Sequence, residues 1–291
     1  MAAIDRFLTT RRYSHEPAVC FSTQQCPKKS AQFGVVEAIR SELNRRAAKQ
    51  NLKVLFAIES GSRAWGFASP DSDYDVRFIY LRPRDWYLSV SRGRDVVEAM
   101  LEPDLDFAGW DLTKALLLLK KSNPSLLEWL GSPIVYRQDE AFVADFRELA
   151  SRCTSLPACF RHYLHMAEGN WRAYFGGEQV LLKKYLYVLR PVLACRWIEL
   201  HQSFPPVAFE VLRAGSEEPA DVRTSTDELL RIKAVTSELG TGPRRNALDR
   251  FMTSEIERLQ AIKQPAEPTV PNEDLDQFFR KWVGAYNLTS G

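Results

Sequence analysis

Two aspartates stand one residue apart in Ser72-Asp73-Tyr74-Asp75-Val76, and a glycine–serine pair, Gly61-Ser62, precedes them. The stretch from Asp73 to Leu81 alternates in character and predicts a strand. On a strand Asp73 and Asp75 point the same way, roughly 6.6 Å apart along the axis. Two carboxylates on one face repel unless a cation lies between them, and a divalent metal suits that place. Magnesium takes hard oxygen donors and usually combines one or two carboxylates with substrate phosphates. The Gly-Ser turn supplies the other half of such a site. It follows a short apolar run, Leu52 to Ile58, that reads as a buried strand, and it opens a short helix. Gly61 lets the backbone approach an anion, and the Ser62 hydroxyl with the free N–H groups beside it would receive phosphate oxygens. A phosphate cradle next to a carboxylate pair is the equipment of nucleotidyl transfer, where two metal ions stabilise the attacking and leaving oxygens. Ser-Asp-Tyr-Asp alone is a weak signal, because surface turns are rich in Ser and Asp. The order strand, turn, helix, strand makes the conjunction much stronger.

These residues carry a resemblance. Gly-Ser, a gap, then Asp-x-Asp followed by apolar strand residues is similar to the signature of the DNA polymerase beta nucleotidyltransferase superfamily. More narrowly, Glu59-Ser60-Gly61-Ser62-Arg63-Ala64-Trp65-Gly66 with Ser72-Asp73-Tyr74-Asp75-Val76-Arg77-Phe78-Ile79-Tyr80 resembles one bacterial and phage branch, the RNA-repair-pathway DNA polymerase beta family (RlaP-like). The likeness continues through residues 105–112, 122–130, 132–136, 183–187 and 190–191, and spans about residues 35 to 260. It implies an α+β fold, with a mixed-sheet nucleotidyltransferase palm domain followed by an all-helical domain. It implies transfer of a nucleoside monophosphate from a nucleoside triphosphate to an acceptor hydroxyl, with release of pyrophosphate. The implied acceptor is RNA, a tRNA or an RNA end under repair. The implied cofactor is Mg2+ or Mn2+, two ions, held by Asp73 and Asp75 with a third carboxylate from a neighbouring strand. Asp106 is the choice for the third, in a predicted strand and able to orient or deprotonate the attacking hydroxyl. Asp111, at the start of a predicted helix, suits an N-cap better, and Glu98 on the preceding strand is a further option. A protein-modifying nucleotidyltransferase of toxin–antitoxin type is the alternative enzyme. A silent RNA- or nucleotide-binding module would be expected to lose a carboxylate or the Gly-Ser turn, and this chain keeps both.

Several cations have two readings. Arg77 shares the strand face of the aspartates, where it would either compensate their charge or meet phosphate. Arg63, in the first turn of the short helix, opposes the helix dipole unless a polyphosphate binds there. Lys183, Tyr187 and Arg190 follow i, i+4, i+7 spacing and share a helix face that would border the cleft and hold the triphosphate, or else form an ordinary solvated surface. Trp65 and Phe67 read as packing residues.

The elements that must position these groups are legible in outline. A helical pattern runs from Phe33 to Arg46 with Val35, Val36, Ile39 and Leu43 on one face. Further strands are predicted at Asp95 to Met100 and near Leu105 and Phe107. A helix follows from Asp111 to Lys121, and another restarts at Asn123-Pro124, where Asn caps and Pro fits the first turn. The remainder is helical, with breaks at 204–220 and 264–272, and Pro191 is expected to kink or start a helix. The expected organisation is an irregular segment at 1–30, a palm domain at 31–135 and a helical domain at 136–291. Cys20 and Cys26, and Cys153 and Cys159, are each six apart with His162 and His165 nearby, a spacing read as ordinary core and surface positions rather than zinc.

Composition narrows the class. Of 291 residues, 45% are hydrophobic and 26% charged, which rules out a wholly disordered chain, and 5 Cys are too few for a disulfide scaffold. With 39 basic and 37 acidic side chains the net charge of +2 neither announces nucleic acid nor forbids a local basic groove. No apolar run reaches membrane-spanning length and the first thirty residues lack the order of a signal peptide, so a cytoplasmic location is expected.

Overall fold

The computed structural model describes residues 29–101, 104–236, 239–265 and 270–288. The expected irregular segment at 1–30, with Cys20 and Cys26, falls almost wholly outside them. The first described helix, α1 (Lys29–Gln50), leads into β1 (Lys53–Glu59), the short α2 (Gly61–Trp65) and β2 (Tyr74–Leu81). Then come α3 (Arg84–Leu88), β3 (Val96–Leu101), β4 (Leu105–Asp111), α4 (Leu112–Lys120), α5 (Pro124–Leu130) and β5 (Val135–Gln138). The rest is α6 (Glu140–Cys153), α7 (Leu156–Tyr174), β6 (Gln179–Leu181), α8 (Lys183–His201), α9 (Phe209–Gly215), α10 (Ala220–Val235), β7 (Thr241–Pro243), α11 (Asn246–Gln260) and α12 (Asn272–Leu288). The fold class is α+β, as expected. The five-stranded sheet has the order β3-β4-β2-β1-β5, and β6 pairs with β7 in a second, two-stranded sheet.

The sheet is mixed because β2 and β4 run parallel while the other neighbours are antiparallel. Alternation along β2 divides its side chains between two cores. Val76, Phe78 and Tyr80 join Ile39 and Leu43 of α1 on one face. Ile79 and Leu81 face the other way, into a larger core that continues through the helices as far as Val283. The start of that second face carries Asp75 and Arg77. The parallel register sets Asp75 beside Asp106 and Arg77 beside Ala108.

Local signals stop and start the helices as the residue types dictate. Asn123 accepts the Leu126 N–H at 3.2 Å and Pro124 occupies the first turn of α5. Asp111 caps α4 by accepting the Thr113 N–H at 2.8 Å. Pro191 does not begin a helix but lies inside α8, in a buried stretch from Val188 to Cys195. Cys153, Cys159 and Cys195 are buried free thiols, and burial pushes that of Cys159 up to about 12. Among the described residues no helix is long and apolar enough to cross a membrane.

One buried acid joins the sheet's helices to the helical core. Glu128 of α5 accepts from Arg190 Nη1 of α8 at 2.7 Å, from the Tyr163 hydroxyl of α7 at 2.8 Å and from Trp65 Nε1 of α2 at 3.2 Å. The Arg190 guanidinium also lies over the Trp65 ring, 4.5 Å from its centroid. A buried ion pair adds little over well-packed apolar groups, but removal of one partner strands the other charge. Arg190→Ala is therefore expected to lower the unfolding free energy by about 3–5 kcal/mol. Urea unfolding measures this, and a change near zero would show that Glu128 is held by its remaining partners.

Candidate active site

The site is built from the backbone outward. β1 ends at Glu59, whose carboxylate accepts the Asp75 N–H at 2.8 Å, and the next N–H, of Ser60, donates to the Asp75 carbonyl at 2.9 Å. Asp75 is thus gripped on both sides of its own peptide. Gly61 then turns with φ +62, and a Cβ at that position would collide with Oδ2 of Asp75. Only glycine combines the left-handed backbone with room for that carboxylate.

The connection from α2 to β2 is fixed as firmly. Gly66 closes α2 with φ +88. Ser69 and Ser72 bond one another through their hydroxyls at 2.8 Å, and the Ser69 N–H donates to the Ser72 hydroxyl at 2.8 Å. Arg63 donates through Nε to the carbonyls of Ser72, at 3.2 Å, and Asp73, at 3.1 Å. Its guanidinium rests on the Tyr74 ring, 3.7 Å from the centroid. Arg63 thus has a backbone role in this structure. It holds the backbone that presents Asp73 and does not line the cavity, because two carbonyls and a ring face satisfy it there.

Asp73 and Asp75 meet Ser62 on one wall of a polar cavity of about 160 Å3. Lys183 and Tyr187 of α8 and Lys233 of α10 line the same cavity. Arg190 does not join them. It is 3% exposed and committed to Glu128, because the second turn of α8 enters the core. Spacing placed it on the right face but at the wrong depth.

Arg77 and Asp106 pair with one another beside Asp75. Arg77 Nη2 lies 2.8 Å from Oδ1 of Asp75 and 2.6 Å from Oδ2 of Asp106, standing between them. Two carboxylates side by side on parallel strands need a cation, and this arginine supplies it. Asp106 consequently turns to Arg77 and does not line the cavity. Among the described residues no group of three His, Cys, Asp or Glu side chains is placed to hold a metal ion. Asp73 and Asp75 alone, with hydroxyl oxygens beside them, fit a hard divalent cation whose remaining ligands come from phosphate or water. The other options for a third acid lie elsewhere. Asp111 is fully buried, capping α4 and accepting the Tyr87 hydroxyl at 2.7 Å. Glu98 is exposed on β3 and paired with Arg94 at 2.9 Å.

The electrostatics follow from burial. Desolvation pushes the Asp75 carboxyl above its ordinary value; Arg77 pulls against this, and the Asp106 and Asp73 carboxylates add to the rise. Burial raises the Tyr187 phenol, and the Asp75 and Asp73 charges raise it further. Burial lowers the Lys233 ammonium, with Asp71 opposing.

Two residues escape a reading of the sequence alone. Lys233 is 7% exposed and its Nζ donates to the Ser69 hydroxyl at 3.1 Å. Its only signal is a charge among Leu229, Leu230 and Ile232. Glu59 is fully buried and also accepts the Tyr136 hydroxyl. Burial pushes its carboxyl up to about 7, against the pull of its two hydrogen bonds. An acid ending an apolar run is its signal.

A sequence profile described as the RNA repair pathway DNA polymerase beta family matches residues 35–281. The chain belongs to this family. It is 44% identical over 229 residues to the "Uncharacterized protein YcgL" of Bacillus subtilis (strain 168), covering 78% of this chain and 88% of that one. Among solved structures, a nucleotidyltransferase-like protein from Exiguobacterium sibiricum 255-15 matches at 15% identity, over 78% of this chain and 73% of that one. Its TM-score of 0.29 is too low to argue a common fold. Family membership rests on the first two likenesses.

Two outcomes follow from the geometry. Gly61→Ala is expected to cost more than about 1 kcal/mol in urea unfolding, from the left-handed backbone and the displaced Asp75 carboxylate together. An unchanged midpoint would contradict the close approach. For Glu59, the folded value lies above the ordinary 4.5, so between about pH 4.5 and 7 the folded chain holds a proton that the unfolded chain lacks. Its contribution is complete below that window and is lost as pH rises through about 7. Unfolding of the wild type and Glu59→Gln at about pH 5 and about pH 8 should show the wild type losing stability relative to the variant at the higher pH. Parallel pH profiles would refute the assignment.

Proposed function

We propose that the protein is a metal-dependent nucleotidyltransferase that moves a nucleoside monophosphate from a nucleoside triphosphate to a hydroxyl of RNA. One observation carries the reading: Asp73, Asp75 and Ser62 line the same cavity as Lys183 and Lys233. Carboxylates alone would repel a polyphosphate. Carboxylates in one cavity with two lysines and a hydroxyl suit a polyphosphate accompanied by a divalent cation.

Asp73 and Asp75 would hold Mg2+ or Mn2+, which when bound neutralises phosphate charge and favours attack at phosphorus. Ser62, Lys183 and Lys233 bind and orient the triphosphate. Lys233 is suited to this because its ammonium is already withdrawn from water and held by neutral hydroxyls, which a phosphate oxygen can replace as partner. The acceptor hydroxyl forms a bond to the α-phosphorus, the bond to the bridging oxygen breaks, and pyrophosphate leaves with that electron pair. The hydroxyl proton passes to a carboxylate or to water. Asp106 acts through Arg77, fixing the guanidinium that in turn fixes Asp75. Catalysis on this account is positioning and charge compensation. The family's description, with its reference to RNA repair, supports RNA as the acceptor.

The test is a screen of the four ribonucleoside triphosphates, each labelled at the α-phosphate, with Mg2+ or Mn2+ against total cellular RNA and total protein. Label is expected in RNA, and Asp73→Ala and Asp75→Ala should each reduce it to background. Lys233→Met should raise the KM for the nucleotide about tenfold, the loss expected of one charge-assisted hydrogen bond. Full activity in either aspartate variant would overturn the reading, and label in protein alone would move the acceptor to the protein class.

A further inference from the structure

The described wall of the cavity carries one aromatic ring, Tyr187. One turn earlier on α8, Lys184 extends its ammonium to within 5.1 Å of that ring's centroid. The same ammonium lies 3.9 Å from the ring centroid of Tyr174, the last residue of α7. Tyr174 is 36% exposed. Among the described residues no carboxylate pairs with Lys184, although most arginines here have such a partner. The result is a short step leading from solvent to the cavity, tyrosine, lysine, tyrosine, whose cation is held by ring faces and by no acid. Exposed Arg172 in the last turn of α7 and Lys183 on the cavity wall add positive charge to the same end of the helix pair.

Aromatic rings give every base a stacking face, and interleaved cations follow the phosphates between bases. A base-paired end keeps all but the outer face of its last pair stacked inside the duplex and has no splayed base to lay on such a ring. A protein acceptor has no planar base and offers no row of phosphates to an unpaired ammonium. We propose that Tyr174 and Lys184 form the landing site for the end of a single-stranded RNA acceptor. An unpaired base stacks on Tyr174, Lys184 meets the adjoining phosphate, and the terminal ribose passes over Tyr187 toward Asp73 and Asp75. This rests on the nucleotidyl-transfer reading for its chemistry but not for its binding.

Binding can therefore be tested without turnover. Fluorescence anisotropy of a short labelled single-stranded RNA with the full-length protein should show affinity that falls as salt rises. Tyr174→Ala and Lys184→Ala should each weaken binding about tenfold. Tyr174→Phe should bind like the wild type, because stacking needs the ring and not the hydroxyl; this variant also guards against a folding defect. The same strand annealed into a blunt duplex should bind at least about tenfold more weakly than it does alone. Equal binding of duplex and single strand, or equal binding by wild type, Tyr174→Ala and Lys184→Ala, would overturn the proposal, as would nucleotide transfer to protein with no affinity for RNA. If the single strand binds and Tyr174→Ala weakens it, yet no nucleotide is transferred from any triphosphate, the landing site stands and the nucleotidyl-transfer reading falls.

Discussion

Everything in the cavity depends on a carboxylate that lies outside it. Glu128 receives an arginine, a tyrosine and a tryptophan from three different helices, α8, α7 and α2. A buried acid with fewer partners would be costly, so these bonds are made together. In being made they fix α2, which carries the Gly-Ser turn, against α8, which carries Lys183 and Tyr187. The Gly-Ser turn and Lys183 thereby keep one separation. Tyr187 completes the linkage by meeting the Trp65 ring edge-on, with centroids 5.7 Å apart.

On that frame Asp73, Asp75 and Asp106 follow a simple rule: each either has a cation or faces the cavity. Arg77 compensates Asp75 and Asp106 together, and the parallel register of β2 with β4 makes this possible by setting the two acids abreast. Ala108, opposite Arg77, leaves the guanidinium room to lie between them. No hydrogen bond or ion pair reaches the Asp73 side chain among the described residues, and it opens onto the cavity. Glu59 carries the arrangement one layer deeper, where burial keeps its proton to about neutral pH.

The parts of the site legible in the sequence were those whose chemistry is local. Gly61, Ser62, Asp73 and Asp75 lie within one strand–turn–strand passage, so residue type and alternation place them. β1, β2, α4 and α5 announce themselves through apolar runs and caps. What was not legible depends on distance or depth. β5, β6 and β7 are too short to show a period. Lys233 meets Ser69 across 164 residues, and nothing near it reveals the partner. Helical spacing correctly set Lys183 and Tyr187 on one face but also included Arg190. Periodicity reports direction around an axis and says nothing of how far along it the core begins.

The span between Ser69 and Lys233 also has a consequence in time. A ribosome delivers the carboxylates and the Gly-Ser turn long before α10. At ordinary elongation rates the interval is roughly ten to thirty seconds. Throughout it the nascent chain carries Ser69 without the buried lysine that bonds to it, so the contact between this loop and α10 is completed late in translation.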